Sequence, residues 1–513
     1  MQPSAISAPT ETGQGRDFTP GTWVAAFVAL IVLALAGWRF GRTIADPDLW
    51  GHVLNGLDMM EAGGYIGTDT YSYLSGEQPW INHHWLANWI MGFAYDSFGS
   101  GGLVFLKALI ALGIVGVLVW WLLSNGLQPI RVALVGALLV AVLTPTFGTF
   151  RPQIFTVLCA MVLMLVIVAV ERGGTRLLWI LPPLFVLWTN LHGGALAGLA
   201  ILGAWAVVHA VVAKGRARWW PLAAFAGSVL GAMVNPEGWG RLRFLLETAT
   251  VSRPEIQDWQ SLDLTSPVGI LYLLLAGVCV AALVVDRSNL DLSIVLPLLA
   301  LMAAPLVAWR HLQLAAVAIC VLGASYIANL SSRLGSTEPA PGSKGLRVTA
   351  VALSGAVVLS SLGFGTLTPC IEVVAAQFEV PQRAVGSWAG VDPSGNAVVS
   401  FNWGEYLRWQ LGPEVQVSMD GRRETVYTEA VYQANLSFVE GEDDWDVLLG
   451  LAPTDWILAP AASPAVDLVE ETGEWTLAYE DDIAVLFSPE PVKVTPRDDL
   501  PTDGNGSCFP AGF

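Results

Sequence analysis

The sequence predicts a polytopic α-helical membrane protein with about 11 transmembrane helices and a C-terminal extracytoplasmic α/β domain. Of its 513 residues, 54% are hydrophobic and only 13% are charged, and the mean hydropathy is +0.56. Soluble proteins carry roughly 25% charged residues, so this composition indicates membrane embedding. The other two observations are a series of long apolar segments and a change of pattern after residue 370.

The apolar segments are long enough to be membrane spans, because a helix needs about 20 apolar residues to cross roughly 30 Å of hydrocarbon. The segment 177–190 is short and contains Pro182 and Pro183, which makes it the weakest candidate. The predicted spans are 22–40, 101–123, 131–147, 153–170, 177–190, 194–213, 219–235, 267–286, 291–308, 314–329 and 347–366. We therefore expect a transmembrane domain over 22–370.

The C-terminal part carries the acidic charge, since residues 371–513 contain 25 acidic and 6 basic side chains. This balance favours solubility and excludes nucleic acid or an anionic bilayer as a partner of that part. Short alternating strand-like and helix-like units predict an α/β domain at 371–488. The Pro-, Asp- and Gly-rich segment 489–513 predicts a flexible tail. Cys370 and Cys508 flank the domain and could pair in an oxidising compartment.

The distribution of basic residues predicts the orientation. Residues 1–21 would be a cytoplasmic tail before an uncleaved signal anchor, and strict alternation of spans then places the basic short loops in the cytoplasm. The same alternation places the first loop, residues 42–100, outside, together with five of the six histidines; His209 is the exception. We therefore expect a multi-pass protein of the plasma (inner) membrane with its C-terminal domain extracytoplasmic.

The first loop opens with two acidic residues that are candidates for chemistry. Pro47 predicts a short helix over 48–61, with Asp46 and Asp48 at its start. Either carboxylate could act as general base for a hydroxyl acceptor, and both could ligate Mg²⁺ or Mn²⁺. The alternative is that they only cap the helix and complement its dipole.

Cationic side chains lie at span ends on the same face. Arg151, Arg310 and His311 would bind a phosphate, for which a guanidinium offers two-point hydrogen bonding; snorkelling to headgroups is the alternative. For His83 and His84 an interfacial structural role is the alternative. Further substrate-binding candidates on this face are His52, Asp69, His83, His84, Gln153, Asn190, His192 and Glu237. For Asn190, His192 and Glu237 the alternative is a satisfied polar end where a helix meets a Gly or Pro turn.

Several motifs together resemble the GT-C superfamily of membrane glycosyltransferases, including uncharacterised bacterial members. They are DPDLWGH (46–52), PWINHHWLA (79–87), RPQ (151–153), NLHGG (190–194), NPEG (235–238), RH (310–311), NWGEYL (402–407) and MDGR (419–422). Asp46-Pro47 with the following helix is similar to the first-loop motif of oligosaccharyltransferases, in which the acid binds metal. Residues 400–406 faintly resemble the WWDYG motif of that family, with Gly and the acid exchanged.

The resemblance implies transfer of a sugar from a polyprenyl-phosphate-linked donor to a glycan, lipid or protein acceptor outside the cytoplasm. In that case Asp46 or Asp48 acts as base or through a metal, and Arg151, Arg310 and His311 stabilise the departing lipid phosphate. One alternative is a transporter or flippase of lipid-linked saccharide, which should place polar groups near mid-membrane. Another is a scaffold whose acidic domain recruits partners.

Overall fold

The computed structural model describes residues 20–76, 79–249, 257–335 and 343–513, so most of the predicted cytoplasmic tail lies outside the described residues. The helices are α1 (Pro20–Gly41), α2 (Asp48–Glu61), α3 (Trp85–Ser124), α4 (Pro129–Gly148), α5 (Gln153–Glu171), α6 (Leu181–Leu191), α7 (Ala195–Val212), α8 (Trp220–Ala232), α9 (Trp239–Thr248), α10 (Pro267–Val285), α11 (Leu292–Ala303), α12 (Leu312–Val321), α13 (Ala324–Arg333), α14 (Ser343–Leu367), α15 (Ala375–Phe378), α16 (Gln382–Ala389), α17 (Phe401–Leu411), α18 (Glu429–Glu440), α19 (Val447–Gly450) and α20 (Ala465–Thr472). The strands are β1 (Gly395–Val399), β2 (Val415–Val417), β3 (Trp456–Pro460), β4 (Thr476–Glu480) and β5 (Ala484–Ser488).

Seven helices in the described ranges are long and apolar enough to cross a membrane, namely α1, α3, α4, α5, α7, α10 and α14. The bent pair α12 and α13, at 55°, makes an eighth if it is one span. The polytopic helical prediction is therefore confirmed, but the count of eleven is not. The remaining predicted spans contain α6, α8 and α11, which have 11, 13 and 12 residues. Proline begins α6 and α8 and lies inside α11, which accounts for their short length.

A buried lysine joins the ends of two predicted spans. Lys107 lies on α3 and its side chain is buried. Its Nζ donates to the carbonyl oxygen of Arg42 at 3.3 Å and to that of Phe147 at 3.0 Å. These are carbonyls at the C-terminal ends of α1 and α4, which lack partners within their helices and attract a cation. Lys107 therefore holds together the two chain segments that continue into Asp46 and Arg151.

The C-terminal domain contains a five-stranded sheet in the order β2-β1-β3-β5-β4. β1 pairs in parallel with β2 and β3, whereas β5 pairs antiparallel with β3 and β4. The predicted α/β character is correct, but the sequence patterns missed α16 and α18. The carboxyl ends of parallel strands are where such sheets usually place functional loops. The loop after β2 accordingly reaches the first loop of the membrane part.

Several contacts attach the C-terminal domain to the rest of the chain. Ser72 of the first loop pairs in parallel with Val417 of β2, which extends the sheet by one short segment. At the other end of the domain, Cys508 is disulfide-bonded to Cys370. The segment after Cys508 packs on α2 and α17, where the indole nitrogen of Trp50 donates to the carbonyl of Pro510 at 2.8 Å. The last residues of the segment 489–513, which the sequence predicts to be a flexible tail, thus contact the rest of the chain through a disulfide and hydrogen bonds.

We expect Lys107→Met to lower the free energy of unfolding by about 3 kcal/mol, because it removes two charge-assisted hydrogen bonds and leaves carbonyls without their donor. Thermal unfolding of the purified protein in detergent measures the change. Lys214→Met is the matched control, since Lys214 is exposed and should change stability by less than about 0.5 kcal/mol. Equal melting temperatures for the two variants would contradict the anchoring role of Lys107.

Candidate functional site

Two acids and one arginine form a charge cluster where α1 and α4 end. Arg151 Nε lies 3.0 Å from Asp46 Oδ2, and Arg151 Nη2 lies 3.3 Å from Asp48 Oδ2. The Asp46 side chain is fully buried and also accepts a hydrogen bond from the backbone N–H of Asp48, whereas Asp48 is 34% exposed. Burial raises the pKa of Asp46 to about 6, against the opposing effect of Arg151. Asp46 therefore holds Arg151, and Asp48 faces open space.

That open space is a cavity of about 400 Å³. It brings together nine residues predicted from the sequence: Asp48, His52, His83, His84, Arg151, Gln153, His192, Arg310 and His311. One part of its wall is apolar, with Leu196, Ala197, Leu245 and Leu314. Arg310 stacks over the Trp259 ring at 4.5 Å, and both residues line the cavity. The cavity lining thus combines arginines, apolar side chains and the carboxylate of Asp48.

Four histidines pack against one another at the polar end of the cavity. The His84 ring lies 3.8 Å from that of His83, 4.9 Å from that of His192 and 5.5 Å from that of His52, measured between centroids. Burial lowers the pKa of His52 to about 4 and that of His83 to about 3. It also lowers the pKa values of His84 and His192. All four imidazoles are therefore neutral at pH 7 and add no positive charge to the site.

The C-terminal domain supplies part of the cavity wall, through residues that the sequence analysis did not name as site residues. Gly421, Arg422, Arg423 and Thr425, from the loop after β2, line the cavity. A Cβ on Gly421 would lie only 2.5 Å from Asp48 Oδ1, so the backbone of this loop lies directly against the Asp48 carboxylate. The signal in the sequence is an acid, a glycine and two arginines directly after a strand.

A buried ionic network fastens that loop in place. Arg422 pairs with Asp69 of the first loop at 2.6 Å and with Asp420 at 2.8 Å. Arg408 pairs with Asp420 at 2.9 Å and with Glu405 at 2.7 Å. Burial would raise the pKa of Asp420, but Arg422 and Arg408 hold it below its usual value. Burial and the neighbouring Asp420 raise the pKa of Glu405 to about 8, so the two carboxyls differ in charge at pH 7.

Glu237, a predicted substrate-binding residue, is instead placed in a structural pair outside the cavity lining. It forms an ion pair with the buried Arg241 and accepts a hydrogen bond from Tyr65. Arg241, which the sequence analysis did not single out as a site residue, also donates to the carbonyls of Thr189 and Asn82 at 3.0 and 3.1 Å. This arginine therefore joins α9, α6 and the first loop.

Two other predicted residues lie outside the cavity lining. Asp69 accepts from Arg422 as described, and Asn190 accepts from the indole nitrogen of Trp85 at 2.7 Å. Asn190 also donates to the carbonyls of Val186 and Val234. Both residues thus use their polar groups in packing the elements that surround the cavity.

The predicted metal ligands do not form an obvious cation site. Among the described residues there is no group of three or more His, Cys, Asp or Glu side chains arranged to hold a metal ion. Asp46 and Asp48 both face the guanidinium of Arg151, which lies where a metal bridging the two carboxylates would bind. Mg²⁺ prefers six oxygen ligands in octahedral geometry, and this pair does not fit it without displacing Arg151. We derive no step through a metal.

Comparison with known proteins finds distant structural similarities. Neither a family model nor a curated relative matches the chain. ArnT from Cupriavidus metallidurans bound to undecaprenyl phosphate matches with a TM-score of 0.48 and 14% identity over 93% of this chain and 100% of that one. Its apo form gives 0.49 and 14%, over 93% and 99%. The Archaeoglobus fulgidus oligosaccharyltransferase complex with zinc and sulfate gives 0.47 and 10%, over 86% and 67%.

Because identities are at most 14% and all three TM-scores are below 0.5, no activity, substrate or residue role is transferred from them.

The raised pKa of Glu405 predicts that the stability of the protein depends on pH. Its folded-state pKa of about 8 lies above the ordinary 4.5, so the unfolded chain ionises first and the free energy of unfolding falls as pH rises from about 4.5 to about 8. We expect Glu405→Gln to lack this fall in stability. Relative to that of the wild type, its melting temperature should therefore rise as the pH approaches 8. Melting curves between pH 5 and 9 measure it. Exposed Glu414→Gln is the control, and parallel profiles for Glu405→Gln and the wild type would contradict the assignment.

Proposed function

We propose that this protein is a GT-C-type glycosyltransferase that moves a sugar from a polyprenyl-phosphate-linked donor to an acceptor on the extracytoplasmic face. The observation that carries the proposal is the position of Asp48. It lies on the cavity wall with Arg151 beside it, while Asp46 lies buried behind them. A carboxylate next to cations suits a reaction in which a proton leaves the acceptor and an anion leaves the donor.

The donor half of the cavity suits a lipid phosphate. Arg310, His311, Leu196 and Leu314 line the same cavity, so it offers a guanidinium cation, an imidazole and apolar contact. A polyprenyl phosphate combines an anionic head with a hydrocarbon chain and would match both features. Guanidinium groups bind phosphate oxygens through two parallel hydrogen bonds, and their charge stabilises the phosphate as it departs.

The acceptor half contains the base. The acceptor oxygen attacks the anomeric carbon of the sugar, and the bond between that carbon and the phosphate oxygen breaks. The bonding electron pair stays on the lipid phosphate, which Arg310, His311 and Arg151 stabilise. The proton of the acceptor passes to Asp48. Asp46 has a positioning role, because it holds Arg151 at the distance that allows contact with both Asp48 and the phosphate.

We expect Asp48→Asn to lower kcat by about 10²- to 10⁴-fold while donor binding is retained, because the variant keeps the shape of the side chain but cannot accept the proton. Transfer of radiolabelled sugar from polyprenyl-phosphate donors by the protein in lipid vesicles measures this. Asp443→Asn, an exposed position, is the control. Undiminished transfer in Asp48→Asn would remove this residue as the base. Movement of lipid-linked saccharide across the vesicle without covalent transfer would instead support the transporter alternative.

Gly421→Ala tests whether the C-terminal domain completes the site. The added methyl group would lie 2.5 Å from Asp48 Oδ1 and must displace the carboxylate or the loop. We expect kcat to fall at least tenfold, with a smaller effect on donor binding. Gly450→Ala is the control, because a Cβ at that position meets no atom within 4 Å. Wild-type kinetics for Gly421→Ala would show that Asp48 acts independently of the loop.

A further inference from the structure

A second, smaller cavity of about 100 Å³ lies between the first loop and the C-terminal domain. It is continuous with the main cavity, and we call it the recess; the two share Asp48, His52, His83, His84, Gly421, Arg422 and Thr425. The residues that line the recess alone are Asn55, Trp80, Asn82, Asn88 and Glu405. Its volume suits a group of a few heavy atoms next to the base, with the rest of a larger molecule in the main cavity.

Three buried polar atoms of the recess residues have no hydrogen-bond partner among the described residues, namely Asn82 Nδ2, His84 Nε2 and Arg422 Nη2. Arg422 Nη2 still lies 2.8 Å from Asp420 Oδ2 in an ion pair, which leaves the Asn82 and His84 atoms for a ligand. Asn82 is only 3% exposed. Its amide orientation is set because Oδ1 accepts from the backbone N–H of His84 at 3.3 Å and from Asn88 Nδ2 at 3.4 Å. A buried donor without a partner costs roughly 1–3 kcal/mol, so such groups usually serve a ligand or an ordered water.

An acceptor group accompanies this donor. His52 Nδ1 lies 3.0 Å from Asn88 Oδ1, and Asn88 Nδ2 already donates to Asn82. Nδ1 of His52 therefore carries the proton, and its Nε2 is left as a hydrogen-bond acceptor. The recess residues thus offer both an amide donor and an imidazole acceptor, a combination that matches a hydroxyl group, which itself donates and accepts.

The charges around the recess are already compensated. Arg422 pairs with Asp69 and Asp420, and Asp48 pairs with Arg151. The raised pKa of Glu405 and the lowered pKa of His52 leave both neutral at pH 7. A phosphate bound in the recess would therefore find little uncompensated positive charge to balance its own negative charge. A neutral polar group needs no such balance and can bind there through hydrogen bonds alone.

We propose that the recess is the acceptor subsite and that it takes a neutral, hydroxyl-bearing edge of a saccharide. The inference rests on the proposed function and specifies its acceptor. The hydroxyl oxygen accepts from Asn82 Nδ2, and its proton faces the Asp48 carboxylate, which takes it as the oxygen attacks the donor sugar. An amide nitrogen is a poorer nucleophile beside the same base, because resonance delocalises its lone pair. The Trp80 ring provides an apolar surface for the C–H face of the sugar.

Binding of three small probes to the full-length protein in lipid nanodiscs tests the subsite without requiring turnover. The probes are methyl α-D-glucopyranoside, glucose 6-phosphate and N-acetylasparagine amide, compared by ligand-observed NMR titration. We expect the methyl glucoside to bind most tightly to the wild type. Asn82→Asp keeps the shape of Asn82 but removes its NH₂ donor, and should weaken glucoside binding about tenfold. Asn402→Asp, at an exposed position, is the matched control.

The ranking of the probes does not depend on the folding of any variant. Preference for the phosphate or the amide, or equal glucoside binding to Asn82→Asp and the wild type, would overturn the subsite. No detectable glucoside binding would also overturn it and would leave a recess that holds only water. Donor turnover is measured separately on the same preparations. Glucoside binding without turnover of any donor would overturn the proposed function, whereas turnover with only phosphate or amide acceptors would overturn this inference alone.

Discussion

The ion pairs of Arg151 with Asp46 and Asp48 are the interaction on which the site depends. They join the segment that follows α1 to the segment that follows α4, about one hundred residues apart. Arg151 between two acids compensates a buried carboxylate that would otherwise be costly at this depth. Lys107 stabilises the same junction from the α3 side through the carbonyls of Arg42 and Phe147. The position of Asp48 follows from these contacts.

The C-terminal domain belongs to the same construction. Its Arg422 and Arg408 lie in a buried network with carboxylates from both the domain and the first loop. A buried ionic network adds little net stability compared with apolar packing. Any other arrangement of the domain would leave one of these buried charges unpaired, which is costly. The network therefore selects one docked arrangement. In that arrangement Gly421 lies against Asp48. The C-terminal domain thus forms part of the cavity wall.

Electrostatics divide the cavity into two parts. The arginines provide positive charge beside the apolar wall, where a lipid phosphate would bind, while burial keeps the four histidines neutral. Neutral imidazoles and asparagine amides line the recess together with Asp48. Asp48 lines both the recess and the main cavity and pairs with Arg151, so the proposed base lies next to both environments.

The sequence by itself determined what depends on local pattern. Helix α2 begins and ends at the predicted residues, and hydropathy found the seven helices long enough to span. Polar residues at span ends also identified nine members of the cavity wall, because a membrane confines such residues to helix ends and interiors. The acidic α/β domain was visible from composition and alternation.

Only the tertiary structure decided which polar residues meet. Asp69 pairs with Arg422, which lies 353 residues away in sequence, and so leaves the cavity that its position suggested. Arg241 pairs with its near neighbour Glu237 but also donates to the carbonyls of Thr189 and Asn82, which are distant in sequence. The choice between Asp46 and Asp48 likewise depends on Arg151 and on the approach of Gly421. The physical reason is that ion pairing acts over a few ångströms in space, and only packing of the whole chain brings these groups that close.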